Sequence, residues 1–189
     1  MQQENLSLSP RVLLFYVGHS LRVMTGKASM ADVYQTDAKG LWHAIWASMI
    51  FTAMVTIYPT LKNAPSIFVT TMIVQLVGLI LLALIFLFAL KQLGLAERSF
   101  AFLLPFFWIE NVQQLLVGLT QLATVSSGNH AYLVLVLPIA IWTCYWLWRV
   151  GKDQLGKGGW IAAGMVGLSF ATDVTLLWAV QTRLPMPAG

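Results

Sequence analysis

Charged side chains are scarce: 10% of the 189 residues, against about 25% in an ordinary soluble domain. So small a share excludes a soluble globular protein, which must cover its surface with polar groups. It excludes a disordered chain as well, because disorder needs low hydrophobicity and high charge. Cysteine occurs once, at Cys144. A single thiol excludes an internal disulfide, a Cys-ligated iron–sulfur cluster and a Cys-rich zinc site, and in its apolar setting it reads as a small hydrophobe. No nucleophile motif, phosphate-binding loop or metal-ligand spacing is present. The glycines of GKGGWIAAGMVG follow no strand and so make no phosphate loop. The net charge of +4 raises the question of nucleic acid, but no contiguous basic run exists to carry such binding, and nucleic acid is excluded as a partner.

Apolar residues are abundant, at 58% of the chain. They fall into five long runs: roughly Leu41 to Thr60, Ser66 to Leu90, Phe100 to Leu122, Ala131 to Trp148 and Gly159 to Gln181. A helix crosses a bilayer in about 20 apolar residues, and helices satisfy their own backbone in lipid. The fold class expected is therefore all-α: a polytopic membrane protein of five transmembrane helices over residues 41–182, one domain without internal repeats. Connections such as LKNAP and RVGKDQLGKG are too short to house a soluble catalytic domain. Pro105 and Pro138 are expected to kink the third and fourth spans.

Basic residues set the expected orientation. Arg11, Arg22, Lys27, Lys39, Lys91, Arg98, Arg149, Lys152 and Lys157 fall on one side of the spans, and Lys62 and Arg183 on the other. The positive-inside bias places the N-terminus in the cytoplasm and the short tail 183–189 outside. Trp42, Trp46, Trp146, Trp148 and Trp160 cluster toward the inner interface, where indole rings anchor. Residues 1–40 form a cytoplasmic N-terminal segment. Within it Ser9 and Pro10 mark a helix start, and Leu13, Leu14, Val17, Leu21 and Met24 recur at helical spacing. Interrupted by Arg11, His19 and Arg22, this stretch is too short and charged to span and makes a poor signal peptide. It reads as an amphipathic helix on the cytoplasmic membrane face, or one packed under the bundle.

Five of the seven acids, Glu4, Asp32, Asp37, Glu97 and Asp153, sit in cytoplasmic segments. Glu110 and Asp173 do not. At about 1.5 Å per residue Glu110 lies about 15 Å into the third span and Asp173 about 21 Å into the fifth. Gln75, entering from the outer side, reaches a similar level. Glu110, Gln114 and Gln121 share a face at i, i+4, i+11, with Gln113 close by, and Ser169 and Asp173 are i, i+4. Gln75, Glu110, Gln113, Gln114, Ser169 and Asp173 are thus the candidate intramembrane polar layer. Two roles compete for it: interhelical glue, or a proton or solute path using the two carboxyls. No basic residue lies inside any span to pair with them. His130 lies on the wrong side to pair with His43 as a haem ligand, and His19 with His43 makes only a weak pair, so interfacial hydrogen bonding is the expected role of all three. No cofactor or metal is expected. Ala163, Gly167 and Ala171 form a small-residue stripe suited to close helix packing.

The stretches DAKGLWHAIWASM, FAFLLPFFWIENVQQLL and YWLWRVGKDQLGKGGWIAAGMVGLSFATDV carry a resemblance to the Yip1-domain superfamily, closest to its small bacterial inner-membrane members. The resemblance covers about residues 30–181. It implies a cytoplasmic N-terminal segment followed by five spans, and a bacterial inner-membrane location. Its eukaryotic members are associated with membrane trafficking and small GTPases. That role is not carried over, and the resemblance supplies no catalytic residue. The functional expectation is a non-enzymatic accessory, scaffolding or assembly subunit. Its partners are the bilayer and other membrane-protein subunits or further copies of the chain. The alternative is an oligomeric transporter or channel component.

Overall fold

A computed structural model describes residues 9–30, 37–63 and 65–183. The calls on Glu4, on Asp32 and on the tail beyond position 183 lie outside the described residues. Every regular element among the described residues is helical. Six α-helices follow one another: α1 Pro10–Met24, α2 Ala38–Asn63, α3 Pro65–Gln92, α4 Ser99–Ser127, α5 Val136–Leu155 and α6 Gly159–Arg183. The last five carry stretches long and apolar enough to cross a membrane.

Helix ends follow local chemistry. The Ser9 hydroxyl accepts the Val12 amide with Pro10 at the first helical position, and the Asp37 carboxylate accepts the Gly40 amide at 2.7 Å to cap α2. Gly128 and Gly156, at φ 68° and 63°, close α4 and α5 in the left-handed conformation that glycine adopts without a Cβ penalty. The fourth span departs from expectation at its start. Asn129 caps a 3-10 stretch over His130–Leu135, and the α-helix begins only at Val136. Pro138 therefore falls in the first turn of α5, where its missing N–H is harmless, rather than at a mid-helix kink. Pro105 does lie inside α4.

Helix α4 is the centre of the bundle. Every residue from Phe102 to Ile109 is buried, so this half of the helix is covered on all sides. Its neighbours are α1, α2, α3 and α5. Phe86 of α3 meets Phe102 and Phe106 edge-on at 5.3 and 5.0 Å. Tyr16 of α1 stacks on Trp108 at 4.7 Å, and the Trp142 indole of α5 donates to the Met24 carbonyl at the end of α1. The N-terminal helix thus packs against the bundle through Tyr16, Ser20, Val23 and Met24, while Leu14 and Phe15 face away from it. The Arg98 guanidinium donates to the Leu155 carbonyl at 2.9 Å, fastening the loop before α4 to the negative end of α5.

Two close approaches set the helix crossings. The α carbon of Gly151 lies over Ala162, drawing α5 and α6 together, and the Trp148 indole closes the same corner by donating to the Gly159 carbonyl at 3.0 Å. The small-residue stripe expected at Ala163, Gly167 and Ala171 faces outward; the inward face of α6 is Ala162, Met165, Val166, Ser169 and Thr172. On the other side of the bundle, Gly118 of α4 lies against Val55 of α2, and a Cβ there would stand 2.8 Å from the valine Cβ. Valine is stiff about χ1 and cannot swing aside. Gly118→Ala is expected to destabilise the protein by about 1–3 kcal/mol, the usual cost of overpacking. Val55→Ala on top of it removes the two γ carbons but keeps the Cβ, so it should recover part of that loss. Chemical unfolding in micelles measures both, and an unaffected Gly118→Ala protein would show that α2 and α4 do not cross there.

Candidate functional site

The polar layer is built on one face of α4. Past Ile109 its apolar surface gives way to Glu110, Gln113 and Gln114, spaced i, i+3, i+4, so all three project from the same side. Three other helices bring polar groups to this face. From α2 come Ser48 and Thr52, from α3 Gln75, and from α6 Ser169 and Asp173.

Hydrogen bonds run across these helices. The Ser48 hydroxyl donates to Gln114 Oε1 at 2.8 Å and accepts from Gln75 Nε2 at 3.0 Å. Gln114 Nε2 turns back to Thr52 Oγ1. Asn111 Nδ2 donates to the Ala44 carbonyl at 2.8 Å. Ser169 donates its hydroxyl to Glu110 Oε1 at 3.0 Å. One network therefore joins α2, α3 and α4, and a separate bond joins α4 to α6. Such bonds are worth roughly 0.6 kcal/mol each on average between membrane helices, and up to about 1.7.

The layer faces a cavity of about 430 Å³ between α3, α4 and α6. Of the six expected layer residues, Gln75, Glu110, Gln113, Gln114 and Asp173 line it, and Ser169 stands behind Glu110 as its hydrogen-bond donor. Leu79, Leu82, Val117, Leu176 and Leu177 supply apolar wall. No Lys, Arg or His is among the lining residues. Gln121, on the same sequence stripe as Glu110 and Gln114, lines a different cavity with His130 near the far end of α4. Val117 interrupts the stripe between them.

Ser48, Thr52 and Asn111 belong to this site and were not singled out by the sequence. The signal available was the i, i+4 spacing of Ser48 and Thr52, which matches the reach of one glutamine, and the adjacency of Asn111 to Glu110. His43 does not take the interfacial hydrogen-bonding role expected of it. It is 5% exposed, and neither ring nitrogen has a hydrogen-bond partner among the described residues. His130 is exposed at the opposite end. Among the described residues no group of three or more His, Cys, Asp or Glu is placed to hold a metal ion.

Ser48 is the junction of the network, since its one hydroxyl serves two glutamines on two helices. Ser48→Ala leaves the Gln75 amide and Gln114 carbonyl without that partner. Loss of about 1–2 kcal/mol is expected in reversible unfolding. Ser48→Thr, which keeps the hydroxyl, should retain most of the stability. Equal stability of the alanine variant and the parent would show that Ser48 joins nothing.

No protein-family model, curated protein or solved structure matches the chain.

Proposed function

We propose that the chain is a five-span integral membrane protein of the bacterial inner membrane, with its N-terminus in the cytoplasm. We further propose that it works without enzymatic activity, as an accessory or assembly subunit packing against other membrane proteins. The Yip1-domain resemblance enters this proposal for its topology alone. Helix α1 is taken to lie at the cytoplasmic interface with Leu14 and Phe15 toward lipid and its other face on α4. Orientation rests on the basic residues at one end of the bundle. Lys157 and Ser126 are exposed at opposite ends. In a Cys144→Ser background, an impermeant maleimide added to spheroplasts should label Ser126→Cys and should reach Lys157→Cys only after lysis. The reverse pattern would invert the topology.

The observation that carries the accessory role is the outward face of α6. Ala163, Gly164, Gly167 and Ala171 are exposed in the chain, and a Cβ built on Gly164 or Gly167 would meet nothing within 4 Å beyond its own stretch of helix. Trp160, at the start of the same helix, is 92% exposed. Lipid gains little from a flat, small-residue surface, whereas a second helix gains close backbone contact. The expected occupant is a transmembrane helix of another subunit. Gly167→Leu with Ala171→Leu should separate the protein from its partner in native nanodiscs while leaving the monomer folded. A parent chain that is already a lone monomer there would overturn the role.

A second reading, a transport or channel component, is favoured by one feature. The two carboxyls of the spans line a single cavity with no basic residue among its lining.

A further inference from the structure

We propose that the cavity between α3, α4 and α6 binds a small primary ammonium ion carrying a short apolar tail. Part of the cavity's polar lining is already used within the protein. Gln75, Gln114, Asn111 and one Glu110 oxygen all have partners. Two groups do not: Gln113 and Asp173 make no side-chain hydrogen bond to any described residue, though both line the cavity. Polar groups within apolar spans are satisfied by protein, water or ligand, so these two are the groups left for an occupant.

The unspent acceptors define what that occupant is. Glu110 Oε2, the Asp173 carboxylate and the Gln113 carbonyl are three acceptor groups on two helices. A primary ammonium offers three N–H donors and no acceptor. Its positive charge answers two carboxyls that have no Lys, Arg or His beside them in the lining. A divalent metal fits less well, because no third acid, His or Cys joins the pair among the described residues. The apolar lining of Leu79, Leu82, Leu176 and Leu177 suits an alkyl tail. The volume of about 430 Å³ lies within the range of small-ligand sites.

This inference deepens the transport reading, because it assigns a ligand to the same cavity, but it asks only for equilibrium binding. A protein that binds and shows no flux in liposomes would remove the transport reading and leave the site standing. The full chain in phosphatidylcholine nanodiscs is titrated with hexylammonium, with hexanol and hexyltrimethylammonium as controls, above the partitioning seen in protein-free nanodiscs. Saturable binding of hexylammonium is expected, with neither control binding comparably. Asp173→Asn removes a charge and Gln113→Leu an acceptor, and neither side chain holds an internal hydrogen bond, so both should fold. Asp173→Asn should weaken binding about tenfold or more, as expected for one charge-assisted hydrogen bond. Gln113→Leu should weaken it less. Comparable hexanol binding, or undiminished hexylammonium binding to Asp173→Asn, would overturn the proposal. Adding phosphatidylethanolamine to the nanodiscs separates two sources of the same chemistry. Competition with hexylammonium identifies a lipid headgroup as the ligand, and no competition identifies a free amine.

Discussion

Over Phe102–Ile109 helix α4 turns no face outward, and that enclosure organises the rest of the chain. Five helices packed around a ring would leave a hole along the axis. One helix placed at the centre fills it, at the cost of needing apolar side chains on every side. The sequence FLLPFFWI supplies them. Aromatic rings then decide which neighbours fit where: Phe86 against Phe102 and Phe106, and Tyr16 over Trp108. The N-terminal helix is needed here, because without it Trp108 would lose its stacked neighbour. A segment too charged to span thus becomes part of the bundle by covering one side of the central helix.

At Glu110 the same helix changes character. A surrounded helix can carry polar groups only if its neighbours answer them, and α2, α3 and α6 do so at matching levels. Ser48 reaches Gln114 and receives the Gln75 amide, the Ala44 carbonyl receives Asn111, and Ser169 reaches Glu110. These bonds specify register more than they add stability, since each is worth only about 0.6 kcal/mol on average. A shift of α2 by one turn would leave several amides unpaired at once.

The five long apolar helices could be read from sequence because hydropathy reports transfer from water, and five runs of sufficient length stand clear of short polar connections. What hydropathy does not report is direction around a helix. Ala162 and Ala163 begin two adjacent stripes of α6, and both look suited to packing. Only the position of Gly151 on the neighbouring helix decides that Ala162 turns inward. The start of α5 was hidden for a similar reason: AYLVL is as apolar as the helix that follows, and it is the Asn129 cap that draws it into a 3-10 turn. In the polar layer, acids were conspicuous and neutral residues were not. Glu110 and Asp173 break an apolar run; Ser48, Thr52 and Asn111 are common enough in one to pass without notice.

Glue and ligand site need not compete for the same residues, because hydrogen-bonding capacity can be followed oxygen by oxygen. A layer serving only to join helices should engage each of its members internally, as Ser48 does by donating once and accepting once. Glu110 spends one oxygen on Ser169 and turns the carboxyl toward the cavity. Asp173 spends none on any described residue, yet it stands on the helix that Ser169 already fastens to α4. If holding α6 in place were the whole purpose, Ser169 would suffice, and an acid on so apolar a helix would be redundant. The division of labour runs between neighbouring turns of one helix: Ser169 fixes the position of α6, and Asp173, one turn on, presents a carboxylate at the distance that position sets.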